Sequence, residues 1–104
     1  MFKARIEVTL KKKILDPQGK AIESSLRNLG FAKLSGVRTG KNIDISVDEQ
    51  DVQTATTLVH SACTRLLANP VTEEYEFELF DETGKTVVQF STQHAGDLKG
   101  TGKS

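Results

Sequence analysis

The first ten residues alternate. In MFKARIEVTL, Phe2, Ala4, Ile6, Val8 and Leu10 fall on one side, and Lys3, Arg5, Glu7 and Thr9 on the other. A period of two marks a strand with one buried and one wet face. After Lys11-Lys12-Lys13 the pattern changes. Asp16 is a good N-cap, and Pro17 suits the first helical position, where its missing N–H costs nothing. A helix is predicted to about Leu29, with Ile22, Leu26 and Leu29 as an apolar stripe beside Ala21. Gly30 closes it in the left-handed conformation, and Phe31 folds back on the last turn. Ile43, Ile45 and Val47 alternate with Asp44 and Ser46, a second clear strand. A shorter strand, Val37-Arg38-Thr39, precedes it, with Gly40-Lys41 as the hairpin turn between them.

Asp48 is read as the cap of a second helix, with Glu49 and Asp51 where the positive end of the helix dipole favours acids. Its apolar stripe comprises Val52, Ala55, Val59, Ala62, Cys63 and Leu66, and Asn69-Pro70 stops it. Tyr75, Phe77 and Leu79 alternate with Glu74, Glu76 and Glu78 in a further strand. A turn at Asp81–Lys85 leads to a short extra strand near residues 86–90, and then to a polar, Gly-rich tail expected to be disordered. The order strand, helix, strand, strand, helix, strand (βαββαβ) predicts an α+β fold. It is the ferredoxin-like, split-βαβ arrangement: two helices on one face of an antiparallel sheet, plus the short C-terminal strand. The first and last strands of that order are neighbours, so Lys3 and Arg5 are expected to share a face with Glu74, Glu76 and Glu78.

Composition narrows the function. The 104 residues make one modest core, and the formal net charge is zero, so nothing argues for nucleic acid or a membrane surface. No apolar run approaches the ~20 residues of a membrane span, and the alternating N-terminus is no signal sequence. The single cysteine, Cys63, excludes an intrachain disulfide and fits a reducing cytoplasm. His60 and Cys63 are three apart, but zinc would need further ligands, and a cysteine on the apolar stripe is a core residue. Gly102-Lys103-Ser104 ends like a phosphate loop. The partner glycine should stand at position 97, which is Asp97; Gly96 is out of register. The carboxylates sit on a wet strand face or at helix starts, where solvation and capping account for them. These residues describe an interaction module with no catalytic, cofactor or metal residue. A ligand-sensing homodimer of ACT type shares the strand–helix order and is the alternative reading.

Three stretches carry a resemblance: LKKKILDPQGKAIESSLRNLGF (Leu10–Phe31), VRTGKNIDISV (Val37–Val47) and LLANPVTEEYEFEL (Leu66–Leu79). Together they resemble the PurS family. The resemblance implies the small, non-catalytic subunit of phosphoribosylformylglycinamidine synthase. That glutamine-dependent carbon–nitrogen ligase of purine biosynthesis turns formylglycinamide ribonucleotide into its amidine. The implied partners are the glutaminase PurQ and the synthetase PurL, which this subunit bridges to support ammonia transfer. It also implies self-association as a dimer or tetramer, ATP and magnesium on PurL with no cofactor here, and a cytoplasmic location. Residues 1–82 are expected to form the family unit and 83–104 an extension, since members usually end soon after the YEFE-like strand. Many members carry glycine where Lys13 stands. The residues matched to the family motifs give a partner interface of Asp16, Pro17, Gln18 and Gly19 before the first helix and Asn69, Pro70 and Val71 after the second. Lys11 and Lys12, and Arg38 and Lys41 by the hairpin, join them.

Overall fold

The structure, a computed structural model, describes residues 1–92 and the backbone of 98–100. Strand β1 (Phe2–Leu10) is followed by helix α1 (Pro17–Asn28), β2 (Gly40–Val47), α2 (Val52–Ala62) with a π-helical turn over Cys63–Leu67, then β3 (Glu73–Phe80), β4 (Thr86–Ser91) and β5 (Leu98–Gly100). All strands join one antiparallel sheet in the order β2-β1-β3-β4-β5. β1 therefore lies between β2 and β3, and β2–α2–β3 is a split βαβ unit. The α+β class, the antiparallel sheet and the extra strand after the Asp81 turn are as expected. β5 occupies three residues of the tail expected to be disordered. The rest of that tail, with the Gly-Lys-Ser ending, lies outside the described residues.

The alternation in β1 becomes the core. Phe2, Ala4, Ile6 and Val8 are buried beside Tyr75, Phe77 and Leu79 of β3 and Val88 of β4, under Ala55, Val59 and Cys63 of the second helical segment. Small residues on α2 let the helix approach the sheet closely, as dense interiors require.

Four expectations are corrected. Val37–Thr39 is not a strand, and Gly40-Lys41 is not a hairpin turn but the start of β2, so the order is βαβαβββ. The chain at Val37–Thr39 is taken up by side-chain bonds to α1 instead of a ladder. The cap of α2 is Asp51 rather than Asp48. The Asp51 carboxylate accepts from Thr54 N–H at 2.9 Å and from Thr54 Oγ1 at 2.8 Å, a threonine three residues on that Asp48 lacks. The helix stripe breaks at Leu66, which is 83% exposed. Within the π turn Ala68 N–H donates to Cys63 O, five residues back, at 3.0 Å. The extra residue per turn rotates Leu66 outward and leaves Leu67 packed on the core.

The fourth correction concerns α1. It ends as predicted: Gly30 has φ of 96°, Phe31 N–H donates to Leu26 O at 2.9 Å and Gly30 N–H to Arg27 O at 3.1 Å. Those two bonds define a Schellman motif. Its stripe, however, is not in the core. β1 and β2 are antiparallel neighbours, so the segment joining them needs no crossover, and α1 is an excursion from the sheet end. Only Gly19 of α1 is buried, and no α1 residue belongs to the core cluster.

Candidate interaction surface

The residues singled out from the sequence converge at the sheet end where β1 stops. Asp16 is buried and its carboxylate is saturated. It accepts from Gly19 N–H at 2.9 Å, closing the first turn of α1, and from Thr39 N–H at 2.6 Å. Thr39 Oγ1 adds bonds of 2.9 and 3.1 Å to the two oxygens. The Thr39 amide first, then the Gly19 amide, holds the Asp16 carboxyl below the usual carboxylate range. Asp16 thus does two jobs, capping α1 and fastening it to the strand start. Gly19 has no room for a side chain: a Cβ there would stand 2.5 Å from Val37 O and 2.9 Å from Asp16 Oδ2.

Arg38 reaches back across the same end. Its Nη2 donates to Lys11 O at 3.0 Å and to Leu10 O at 3.4 Å. Lys11 N–H donates to Thr72 O at 2.9 Å, which ties in the turn after α2. In that turn Asn69 Oδ1 accepts from Val71 N–H at 3.0 Å, and Glu73 Oε1 accepts from Asn69 N–H at 2.6 Å. Lys41 Nζ lies 4.0 Å from Glu73 Oε2. Lys13 sits in a tight turn closed by Ile14 N–H to Lys11 O at 2.8 Å. No non-glycine residue among those described has a positive φ, so the lysine is unstrained where many relatives are expected to have glycine.

Three stretches far apart in sequence are thus knotted at one end. Asp16 and Gly19 form its buried interior, whereas Pro17, Gln18, Pro70 and Val71 are on the outside. Thr39, Thr72 and Glu23, whose Oε1 accepts from Val37 N–H at 3.2 Å, were missed. Their partners are long-range, and no local pattern announces them.

The other chemical candidates resolve into packing. Cys63 is fully buried, and burial pushes its thiol up to about 11, the reverse of what a nucleophile needs. His60 packs edge-on against Phe90 at 4.9 Å and Tyr75 at 5.9 Å between ring centroids, with Nδ1 3.5 Å from Tyr75 Oη. Among the described residues no cluster of three His, Cys, Asp or Glu is placed to hold a metal.

The open face of the sheet is polar. Arg5 stands opposite Glu78, but its ion pair runs the other way, with Nε 3.2 Å from Asp44 Oδ1 and the guanidinium over the Phe80 ring. Lys3 faces Phe80, and Glu7 faces Glu76. Lys3 and Arg5 do share a face with Glu74, Glu76 and Glu78 as expected, but only Arg5 and Glu78 stand directly opposite as unlike charges. A groove of about 720 Å³ at the far end is lined by Lys3, Arg5, Asp44, Phe80 and Glu82 among others. Its walls are cross-linked by the Arg5–Asp44 pair and by the N-terminal ammonium 3.4 Å from Glu82.

A small α+β domain whose motif residues cross-link backbone segments is an interaction module. Comparison with known proteins gives it a family. The model described as PurS, phosphoribosylformylglycinamidine (FGAM) synthase, matches residues 3–81. The Synechocystis subunit PurS of that synthase is 42% identical over 78 residues, covering 75% of this chain and 78% of the relative. The crystal structure of PurS from Methanocaldococcus jannaschii is described as one of the subunits of formylglycinamide ribonucleotide amidotransferase in the purine biosynthetic pathway. It superposes with a TM-score of 0.69 at 39% identity, over 76% of this chain and 95% of that one. A chain in the structure of PurLQS from Thermotoga maritima gives 0.70 at 37% identity, over 76% and 96%. The chain belongs to the PurS family, the family of a subunit of phosphoribosylformylglycinamidine synthase. That assignment displaces the ACT-type sensor suggested by strand order alone.

Proposed function

We propose that this subunit bridges the glutaminase PurQ and the synthetase PurL and supports ammonia transfer between them. The observation that carries this reading is the knotted sheet end, where the family motifs lock three backbone segments and leave Pro17, Gln18, Pro70 and Val71 facing outward. A rigid, pre-ordered surface loses little entropy on docking. Lys11, Lys12, Arg38 and Lys41 surround it with cations, and Asp16, Gly19 and Asn69 hold its shape.

The bridge has a chemical reason. Free ammonia near neutral pH is largely protonated and no longer nucleophilic, so a short enclosed transfer preserves it. ATP and magnesium belong to PurL in this reading, and the assembly works in the cytoplasm as a homodimer or tetramer of this subunit with its partners. No helix among the described residues is long and apolar enough to cross a membrane. Residues 83–104 are an extension beyond the matched 3–81, and β4 lengthens the sheet there. The test is reconstitution: glutamine-dependent amidine formation by PurL and PurQ, with and without this chain. The expected outcome is activity that requires it. Full activity without it, and no ternary complex, would overturn the bridging role.

A further inference from the structure

The family match stops at residue 81, just past the end of β3. The Methanocaldococcus and Thermotoga chains are 95% and 96% covered by 76% of this one, which leaves them almost no residues for a further strand. Here that strand is present and closely fitted. Asp81 makes the turn into it: Oδ1 accepts from Thr83 N–H at 2.9 Å and from Lys85 N–H at 3.0 Å, and Gly84 takes a φ of 87°. β4 then pairs along β3 from Phe80 back to Glu76. Val88 is buried, the Phe90 ring stacks on Phe77 at 5.2 Å between centroids, and Gln89 Nε2 donates to Glu78 Oε2 at 2.9 Å. Past the ladder a hydroxyl does the work of a strand backbone. Thr92 Oγ1 accepts from Tyr75 N–H at 3.0 Å and donates to Tyr75 O at 2.9 Å. Tyr75 thus turns its backbone groups toward β4, and Phe77, two residues on, does the same.

Without β4, β3 would be an edge: a row of backbone donors and acceptors beside the aromatic corner of Tyr75, Phe77 and His60. Such an edge takes up an extended strand whose alternate side chains fit the pockets beside it. We propose that residues 85–92 are a guard strand held in cis: they occupy a strand-binding edge on β3 and deny it to segments of other proteins. The occupant is matched to the site at every second residue. Val88 enters the core, Phe90 fills the corner between Phe77 and His60, whose ring centroid is 4.9 Å away, and Thr92 closes on Tyr75. Tethering does the rest. A short linker gives a cis strand an effective concentration on the order of millimolar, so a free peptide at about micromolar concentration loses the edge by roughly a thousandfold. The inference is independent of the bridging reading, but it bears on it: PurL and PurQ dock without adding a strand to β3.

The test uses the full chain with β4 dislodged. The double variant Val88→Asp, Phe90→Asp puts two charges under the strand and should release it. Release is read as fast amide exchange at Tyr75 and Phe77 while Ile6, at the centre of the sheet, stays protected. A fluorescent peptide of residues 85–92 in the natural sequence is then titrated at high dilution and followed by anisotropy. It should bind the variant, and bind the wild-type chain roughly a thousandfold more weakly. The same peptide carrying Phe90→Asp should bind neither. Equal uptake by wild type and variant overturns the proposal, and so does a released variant that takes up no peptide. If the variant fails to fold, or keeps β4 docked, a chain stopped after Gly84 takes its place under the same criteria. If that chain is also unfolded, residues 85–92 belong to the core and guard nothing, and the proposal falls.

Discussion

Glycine in a helix normally weakens it, and replacing it with alanine gains up to ~1 kcal/mol. Gly19→Ala should do the reverse here. The new methyl would sit 2.5 Å from Val37 O, where ordinary contact begins at 3.4 Å, so backbone must retreat by roughly an ångström, and overpacking of that kind costs about 1–3 kcal/mol. Val37 leads directly into Arg38 and Thr39, so retreat strains the Thr39 N–H bond to Asp16 at 2.6 Å. Setting the propensity gain against the clash leaves a net loss from near zero to about 2 kcal/mol, localised in α1 and its anchor. One or two kcal/mol corresponds to a factor of roughly 5–30 in a local opening equilibrium. The assay is amide exchange of residues 18–28 at a protein concentration held constant, with Ser24→Ala on the exposed side of the same helix as the control. Ser24→Ala should slow exchange slightly and Gly19→Ala should speed it. If Gly19→Ala slows exchange as much as an ordinary helical glycine replacement would, α1 is not pinned by close approach to Val37.

Asp16, whose folded pKa is depressed, stabilises the anchor above its unfolded value and loses that contribution as pH falls through the folded one. Acid titration of α1 exchange should show loosening on the acid side of the normal carboxylate range, absent in Asp16→Asn. Cys63 behaves oppositely: its thiol is raised from 9.0 to about 11, so the unfolded state loses its proton first and stability should fall between those values. Urea midpoints measured across that window should drop, less so in Cys63→Ala, and a thiol reagent should label Cys63 only in denaturant. Glu7 directly faces Glu76 on the open sheet face, so Glu7→Lys should stabilise the isolated chain by about 0.2–1 kcal/mol, the range of cross-strand pairs. A loss of stability on thermal unfolding would mean that face is not open.

Most of the fold was legible where a local rule decides the outcome. The alternation of β1 and β3, the Asp16-Pro17 start of α1 and the Gly30 end each follow from a few adjacent residues. The misreadings share a cause: the deciding partner is distant. Val37–Thr39 reads as a strand until Asp16, over twenty residues earlier, takes the Thr39 donors and Glu23 takes the Val37 N–H. Leu66 reads as stripe until the π turn shifts the phase. The apolar stripe of α1 reads as core because periodicity marks an apolar face but not what lies against it. At the candidate interface the motif residues were visible, whereas their convergence was not. It depends on Arg38 reaching Lys11 O and on Lys11 reaching Thr72 O, and nothing in either stretch foretells the other.

The central place of β1 has a consequence for how the protein is made. Its two neighbours pair through Val47 on one side and Phe80 on the other. On a ribosome this central strand emerges before its partners, and one of its edges has no native partner until β3 has followed. Pairing at such separation is slow to form and exposes an open edge meanwhile. Lys3 and Arg5 then serve the nascent chain, since charged residues within a strand discourage two unfinished copies from pairing.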